Sequence, residues 1–527
     1  MPTLTFQKNA LKALLKQNIS DEHLRETITM LGTDIDSFDE EISVEIFPNR
    51  PDILSVPGLA RAVNTFLGWQ DIPTYVAQKG AGEVHVKKDV AQVRSHTRCC
   101  IVRGLSLTDE KLQHIIDLQE KLHITFGRHR KKVAIGIYPL NKIKLPITYT
   151  AKNPQDITFT PLEMDREISA DKLLTEHPTG KKYAHLLKDA NVYPVFVDAN
   201  NTVLSMPPII NSKEAGEVTQ DTTDVFIECS GNDPRTLMQG LNMIACALSD
   251  LGGTIEEMMV LYDTGEMVLC PDLRMQQLPL DRAYVAQRAG IPQESIDASL
   301  TKSGLSVQED TVLIPPYRTD FWHQVDLVEE AAIGFGYTNI TPTIPDTHTI
   351  GGLLSETKQE TTIRSLLSGL GMQEVMNWHL TSRGVPLANS LTEHYTALRE
   401  NLLDGVLDVL QKNTSNSYPQ QLYELGVVFS DDNTKETHVA EKRSVCAVFC
   451  EEKTSYTHAR QALEVLARTL GWTIAFSEHE DPRFIPGRCA YVRGDVEGVL
   501  GEIHPEQLVH RGILFPTSAF DVIIHKK

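Results

Sequence analysis

The segment IFPNRPDILSVPGLARAVNTFLGW, beginning at Ile46, returns in the same chain as IPPYRTDFWHQVDLVEEAAIGFGY, beginning at Ile314. A single offset of 268 pairs Pro48 with Pro316, Arg50 with Arg318, Asp52 with Asp320, Leu59 with Leu327, Gly68 with Gly336 and Trp69 with Tyr337. Upstream, after a four-residue gap, an offset of 272 pairs Ile19 with Ile291, Leu24 with Ile296, Ile28 with Leu300 and Gly32 with Gly304. Two distant copies cannot stack into a solenoid, which needs several contiguous units to bury a continuous core. The chain must therefore hold two related small domains, with other domains between and after them. Each copy reads as a helix, a second helix stopped by Gly32 or Gly304, a strand, an Arg-x-Asp turn and a final helix.

A length of 527 residues agrees with three or four domains, at roughly 100 to 200 residues each. The first copy is expected over residues 1–88 and the second over 268–345. Between them, KKVAIGIY and YPVFVDANNTVLSMPPIIN pattern as strands and DPRTLMQGLNMIACALSDLGG as a helix, so residues 89–262 are expected to form an α+β domain. Residues 350–527, entered through the Pro- and Gly-rich TIPDTHTIGGLLSE, mix long helices with the alternating strands QQLYELGVVFSDD and EKRSVCAVFCEE.

A formal charge of −20 argues against unaided, non-specific nucleic-acid binding, because that depends on many Lys and Arg contacts to phosphate. The densest basic run, RHRKK from Arg128 to Lys132, is either a phosphate contact or a solvated loop. None of the eight cysteines has zinc-finger spacing, and Cys446 and Cys450 would share one face of a strand as buried thiols. The N-terminal pattern is no signal peptide, and the longest apolar stretch is too short and too polar to span a bilayer. A reduced, cytoplasmic protein with no membrane segment is the expectation.

The second copy carries Asp326, Glu329 and Glu330 at i, i+3 and i+4 of its last helix, one turn after Asp320. Like charges at that spacing repel, so the cluster calls for a compensating cation, and an all-oxygen donor set favours Mg²⁺ or Ca²⁺. The alternative is that acids in a first helical turn complement the helix dipole, with Arg318 as an ion-pair partner. The first copy has Gly58, Arg61 and Ala62 at the corresponding positions, which suggests that the fold of the unit does not need the acids.

YRTDFWHQVDLVEEAAIGFGY resembles the magnesium-binding motif of phenylalanine-tRNA ligase β subunits. MPTLTF, FPNRPDILSVPGLARA, PPIINS with VTQDTTDVFIECSG, and GEIHPEQL are similar to the same family in the same order, and most similar to its archaeal and eukaryotic-type members. The resemblance implies a magnesium site at Asp320, Asp326, Glu329 and Glu330. It also implies an assembly of two α and two β subunits that uses ATP to attach phenylalanine to its tRNA, with ATP and phenylalanine bound mainly by α.

The resemblance further implies that the middle domain is a tRNA-editing domain that hydrolyses mischarged tyrosyl-tRNA, with Asn211, Ser212, Thr219, Thr222 and Glu228 as candidates to line its pocket. A loop rich in Asn, Ser and Thr is also what an ordinary turn looks like. The C-terminal region is similar to a class II synthetase fold of antiparallel strands. ALRENLLDGVLDVL stands in place of the substrate-binding second motif, and no catalytic third motif follows. No residue of this chain is therefore assigned to aminoacylation. The fold class expected overall is α+β and multidomain. A free-standing tRNA deacylase and a non-enzymatic scaffold are the competing functional readings.

Overall fold

Gly32 and Gly304 end the second helix of their copies with φ of +81° and +82°. This is the left-handed conformation that favours glycine at a helix C-terminus. The computed structural model describes residues 2–347 and 349–525, and the chain divides into two units, Met1–Ile344 and Pro345–Lys527.

Within the first unit, the first copy comprises helices Lys8–Leu14, Asp21–Met30 and Val56–Phe66, and the second comprises Arg282–Ala289, Ile296–Lys302 and Gln324–Phe335. Each carries a three-stranded antiparallel sheet in which the last strand lies between the other two: Glu41–Glu45 between Thr3–Gln7 and Asp34–Phe38, and Thr311–Ile314 between Gln276–Pro279 and Ser306–Gln308. The sequence pattern had suggested one strand per copy, because these strands are short and half exposed and so show little alternation.

The two copies also pack on each other through exchanged contacts. A Cβ on Gly32 would lie 3.6 Å from Ile333 Cδ1, and one on Gly304 would lie 3.9 Å from Thr65 Cγ2. Gly32 corresponds to Gly304 and Thr65 to Ile333, so the same contact is made twice with the copies interchanged. That exchange is the mark of an isologous, two-fold-like pairing.

Between the copies lies a ten-stranded mixed sheet. Its central strand pairs include Gln78–Val86 parallel to Thr254–Tyr262, and Val225–Gly231 antiparallel to both His96–Arg103 and Ala134–Pro139. The helix Pro234–Asp250 buries Leu237, Leu241, Ile244 and Leu248 in the same core as Cys99, Ile101, Ile227 and Cys229. Two expected boundaries move. Gln78–Val86 belongs to this sheet although it precedes residue 88, and Met267–Cys270 pairs with Thr254–Tyr262 although it follows residue 262. Both strands bring buried side chains (Val84, Val86, Cys270) that only this core can cover.

The second unit is built on a seven-stranded sheet, antiparallel except where Gln373–Glu374 runs parallel to Gln420–Asp431. Its strand Val439–Cys450 is buried on both faces. Val445, Ala447 and Phe449 join the core under helices Ser355–Gly369 and Tyr456–Leu470, whereas Cys446, Val448 and Cys450 face the core under Leu403–Lys412. All eight cysteines of the chain are buried and unbridged. Among the described residues, no helix is long and apolar enough to cross a membrane.

Candidate functional site

A cavity of about 490 Å³ opens in the mixed-sheet domain, walled by the helix Asp109–Ile124, the strand Ala134–Pro139, the Pro207–Asn211 loop and Tyr183. Glu228 reaches it from the strand Val225–Gly231, whose every residue is buried. Strand alternation turns Glu228 away from its neighbours Ile227 and Cys229. Only 2% of Glu228 is exposed, and its Oε2 has no hydrogen-bond partner. Burial, only partly offset by the Arg94 charge, pushes its carboxyl up to about 8, so it is uncharged at neutral pH.

Around it stands a hydroxyl network. Tyr138 Oη lies 2.7 Å from Ser205 Oγ, 3.2 Å from Glu228 Oε1 and 3.3 Å from Asn211 Oδ1. Three acceptors share one phenolic proton, so the network can rearrange around a guest that brings its own hydroxyl. The network needs Gly136, which sits opposite Glu228 on the neighbouring strand. A Cβ there would run into Tyr138 Oη and Glu228 Oε1.

Elsewhere on the wall, Glu120 Oε1 accepts from His123 Nδ1 at 3.0 Å and from Arg130 Nη2 at 2.8 Å. His123 Nε2 accepts the Ile135 N–H at 2.8 Å, which leaves the ring proton on Nδ1 and the imidazole neutral. Burial opposes the Glu120 charge, but hydrogen bonds from His123 and Arg130 overcome it and hold the carboxyl down at about 2. Arg130 also donates to the Ile209 carbonyl at 2.7 Å and lies 4.3 Å over the Tyr183 ring.

Of the five residues expected in a pocket, the structure brings together Asn211 and Glu228. Ser212 instead caps the short helix Lys213–Gly216, accepting the Ala215 N–H at 3.2 Å. Thr222 Oγ1 accepts the Thr219 N–H at 3.0 Å within a turn, and neither threonine lines the cavity. The loop composition at these three positions reflects capping and turn formation. Tyr138, Ser205, Glu120 and His123 were missed, and Arg130 was singled out only within the basic run Arg128–Lys132. The one signal for them lay in GIY, where a glycine opposite a buried acid precedes a tyrosine.

In the second copy, Arg318 occupies the centre of the acidic motif. Its Nε and Nη2 bind Asp320 at 3.0 and 2.7 Å, and Nη2 also reaches Glu330 Oε1 at 2.6 Å. Asp326 Oδ2 accepts the Trp322 and His323 N–H groups at 2.7 and 2.8 Å, completing a capping box at the start of Gln324–Phe335. Glu329 is exposed, and Glu330 Oε2 is buried without a partner. Among the described residues no three His, Cys, Asp or Glu side chains converge as a metal site. The expectation that the fold does not need the acids is corrected for Asp326, which caps the helix, and for Glu330, which pairs with Arg318. The first copy caps the same helix start with Ser55, whose Oγ accepts the Gly58 N–H, whereas the second uses Asp326. Arg50 holds Asp52 with the same two-pronged geometry, at 2.9 and 3.0 Å.

Comparison with known proteins decides the family. The chain is 35% identical to the phenylalanine–tRNA ligase β subunit of Archaeoglobus fulgidus, over 99% of this chain and 98% of that protein. The chain belongs to the phenylalanine–tRNA ligase β-subunit family. The corresponding proteins of Thermococcus sibiricus and Pyrococcus abyssi are 33% and 34% identical over 99% of the chain. A solved N-terminal fragment of the Pyrococcus horikoshii β subunit superposes with a TM-score of 0.61 at 32% identity, covering 63% of this chain and 99% of the fragment. Family models described as the B3/4 domain, the tRNA synthetase B5 domain and the phenylalanyl tRNA synthetase beta chain CLM domain match residues 106–244, 278–337 and 340–524. In this β-subunit chain the cavity thus lies within the B3/4 match and the second repeat copy within the B5 match.

Proposed function

We propose that this β subunit acts in the cytoplasm with an α subunit, two of each, in the ATP-dependent attachment of phenylalanine to its tRNA, and that its mixed-sheet cavity hydrolyses tyrosyl-tRNA formed in error. ATP and phenylalanine are bound by α, and residues 350–527 serve as a class II-like counterpart without catalytic residues. The observation that carries the editing reading is the uncharged Glu228 carboxyl beside the Tyr138–Ser205–Asn211 hydroxyl network. Tyrosine differs from phenylalanine by one hydroxyl. An apolar synthetic pocket rejects an added hydroxyl poorly, whereas a site built to hydrogen-bond it discriminates by about 10⁴ or more. Glu228, neutral and with one free oxygen, supplies such a partner, and the apolar walls of Ile115, Ile135 and Ile137 receive the ring. The assembled ligase is expected to hydrolyse tyrosyl-tRNA for phenylalanine much faster than phenylalanyl-tRNA. Equal rates for the two esters would sink the editing reading.

Magnesium enters this reading as a competitor of Arg318 for Asp320 and Glu330, with Asp326 and Glu329 on the same helical face. The unpartnered Glu330 Oε2 is the donor still lacking a cation. Arg318→Ala strands two acids in a buried setting, a loss of about 3 to 5 kcal/mol. Millimolar Mg²⁺ is expected to restore part of that in thermal unfolding, and to restore nothing once Glu329→Ala and Glu330→Ala are added. No Mg²⁺-dependent shift in either the wild type or Arg318→Ala would remove the ion from this site.

A further inference from the structure

Arg130, which lines the cavity, sits in a basic run, Arg128–Lys132, of unusual backbone conformation. Arg128, His129 and Arg130 are three consecutive non-glycine residues with φ of +47°, +53° and +65°. L-residues rarely adopt this conformation even singly, and such strain persists only where the surroundings impose it. Here they do. The Gly127, Arg128, His129 and Arg130 N–H groups bond back to Leu122, Thr125, Ile124 and His123 at 2.7 to 3.2 Å, and Lys132 N–H bonds to Gly127 at 2.8 Å. Gly127 itself has no room for a side chain, because a Cβ would meet the Val133 carbonyl.

The tight turn sorts the charges. Arg130 points inward to Glu120 and Tyr183 and lines the cavity, while Arg128, His129, Lys131 and Lys132 are exposed. Among the described residues, Arg128, Lys131 and Lys132 make no ion pair within 4 Å, although Asp233 feels the Lys132 charge. Lys182, also exposed, lines the cavity with its Nζ 5.2 Å from the centroid of the same Tyr183 ring. Exposed cations without an ion pair thus flank Arg130, which lines the cavity, in the same tight turn, on a chain whose formal charge is −20. Exposed acids, Glu163 and Glu217, also line the cavity but come from other loops.

We propose that this turn is a phosphate-binding guide for the single-stranded 3′ end of charged tRNA, holding its backbone through Arg128, Lys131 and Lys132 while the esterified amino acid enters past Arg130. The assignment rests on the reading of the cavity as an ester-hydrolysing site. A single strand must deliver its terminal ester into a wall of limited width, so its preceding phosphates lie at the edge. Fixed cations there supply affinity without reading sequence. Because the turn is held by its own backbone bonds, these side chains can be neutralised without disturbing Arg130.

The test compares the assembled wild-type ligase with the triple variant Arg128→Gln, Lys131→Gln, Lys132→Gln on two substrates: tyrosyl-tRNA, and tyrosine esterified to adenosine, which has no phosphates. The variant is expected to raise KM for tyrosyl-tRNA about ten-fold with kcat unchanged, and to lower the slope of log(kcat/KM) against log[salt] by roughly 2, at about 0.7 per single-strand phosphate contact. Hydrolysis of the adenosine ester is expected to stay at the wild-type rate. Unchanged KM and salt slope on tyrosyl-tRNA, or an equal loss on both substrates, overturns the proposal. Inactivity of the wild-type ligase on both substrates instead overturns the cavity reading on which it stands.

Discussion

Replacing Glu228 with alanine is expected to slow hydrolysis of tyrosyl-tRNA by the assembled ligase about a hundred-fold, with little effect on charging of phenylalanine. Losing a hydrogen bond to a buried polar group costs about 1 to 3 kcal/mol, and at roughly 1.4 kcal/mol per ten-fold that is one to two orders of magnitude. The pH dependence separates recognition by an acid from simple packing. Glu228 is neutral below its folded pKa of about 8 and charged above it, so wild-type hydrolysis is expected to change as pH passes 8. In Glu228→Gln, which keeps a neutral donor and acceptor, that step should vanish. Stability carries the same signature with a definite sign. The folded pKa is raised from 4.5 to about 8, so the contribution of Glu228 to stability is most favourable below pH 4.5 and falls as pH rises, until about 8. The penalty amounts to about 3 kcal/mol at pH 7. Glu228→Gln is therefore expected to unfold at higher temperature than wild type at pH 8, and at the same temperature near pH 4. Identical unfolding temperatures at both pH values would show that Glu228 is not held neutral, and unchanged tyrosyl-tRNA hydrolysis in Glu228→Ala would remove it from recognition.

What sequence could show depended on how local the physics was. The repeat was legible because its marks are local: Gly32 and Gly304 must be left-handed, and the Arg-x-Asp turns close on themselves. The cavity was not, because its polar groups come from residues as far apart as Glu120, Tyr138, Ser205 and Glu228. They are gathered by a ten-stranded sheet whose neighbours are not consecutive in the chain. A contiguous polar loop was the best available guess, and three of its members (Ser212, Thr219, Thr222) proved to be cap and turn residues. The acidic motif misled for a different reason. Comparing aligned positions assumes that both copies solve each local problem alike. One cap is a serine and the other a histidine backed by an aspartate, so acids absent from one copy can still be structural in the other.

The second large effect concerns synthesis, and it turns on Arg399, the arginine of the ALRENLLDG segment. Its Nη1 is 2.5 Å from Glu424 Oε1 and its Nε donates to the Val427 carbonyl at 2.8 Å. Both side chains are buried, at 5% and 2% exposure. Asn377 Nδ2 closes the group with a 2.7 Å bond to Glu424 Oε2. An arginine so held cannot turn to a ligand without leaving Glu424 as an uncompensated buried charge, a cost of about 3 to 5 kcal/mol. It ties the segment around Asn377 to the strand Gln420–Asp431. Arg488, which is exposed, reaches Glu502 at 2.5 Å on neighbouring strands. Alone, this β-subunit chain is therefore expected to charge tRNA with phenylalanine at background rate, and the α subunit to raise that rate by at least about 10⁴-fold. Arg399→Ala should lower the unfolding temperature of residues 345–527 while leaving the charging rate of whatever complex still assembles unchanged. Robust charging by the chain alone, or a loss of kcat in folded Arg399→Ala complex, would place nucleotide chemistry in this domain after all.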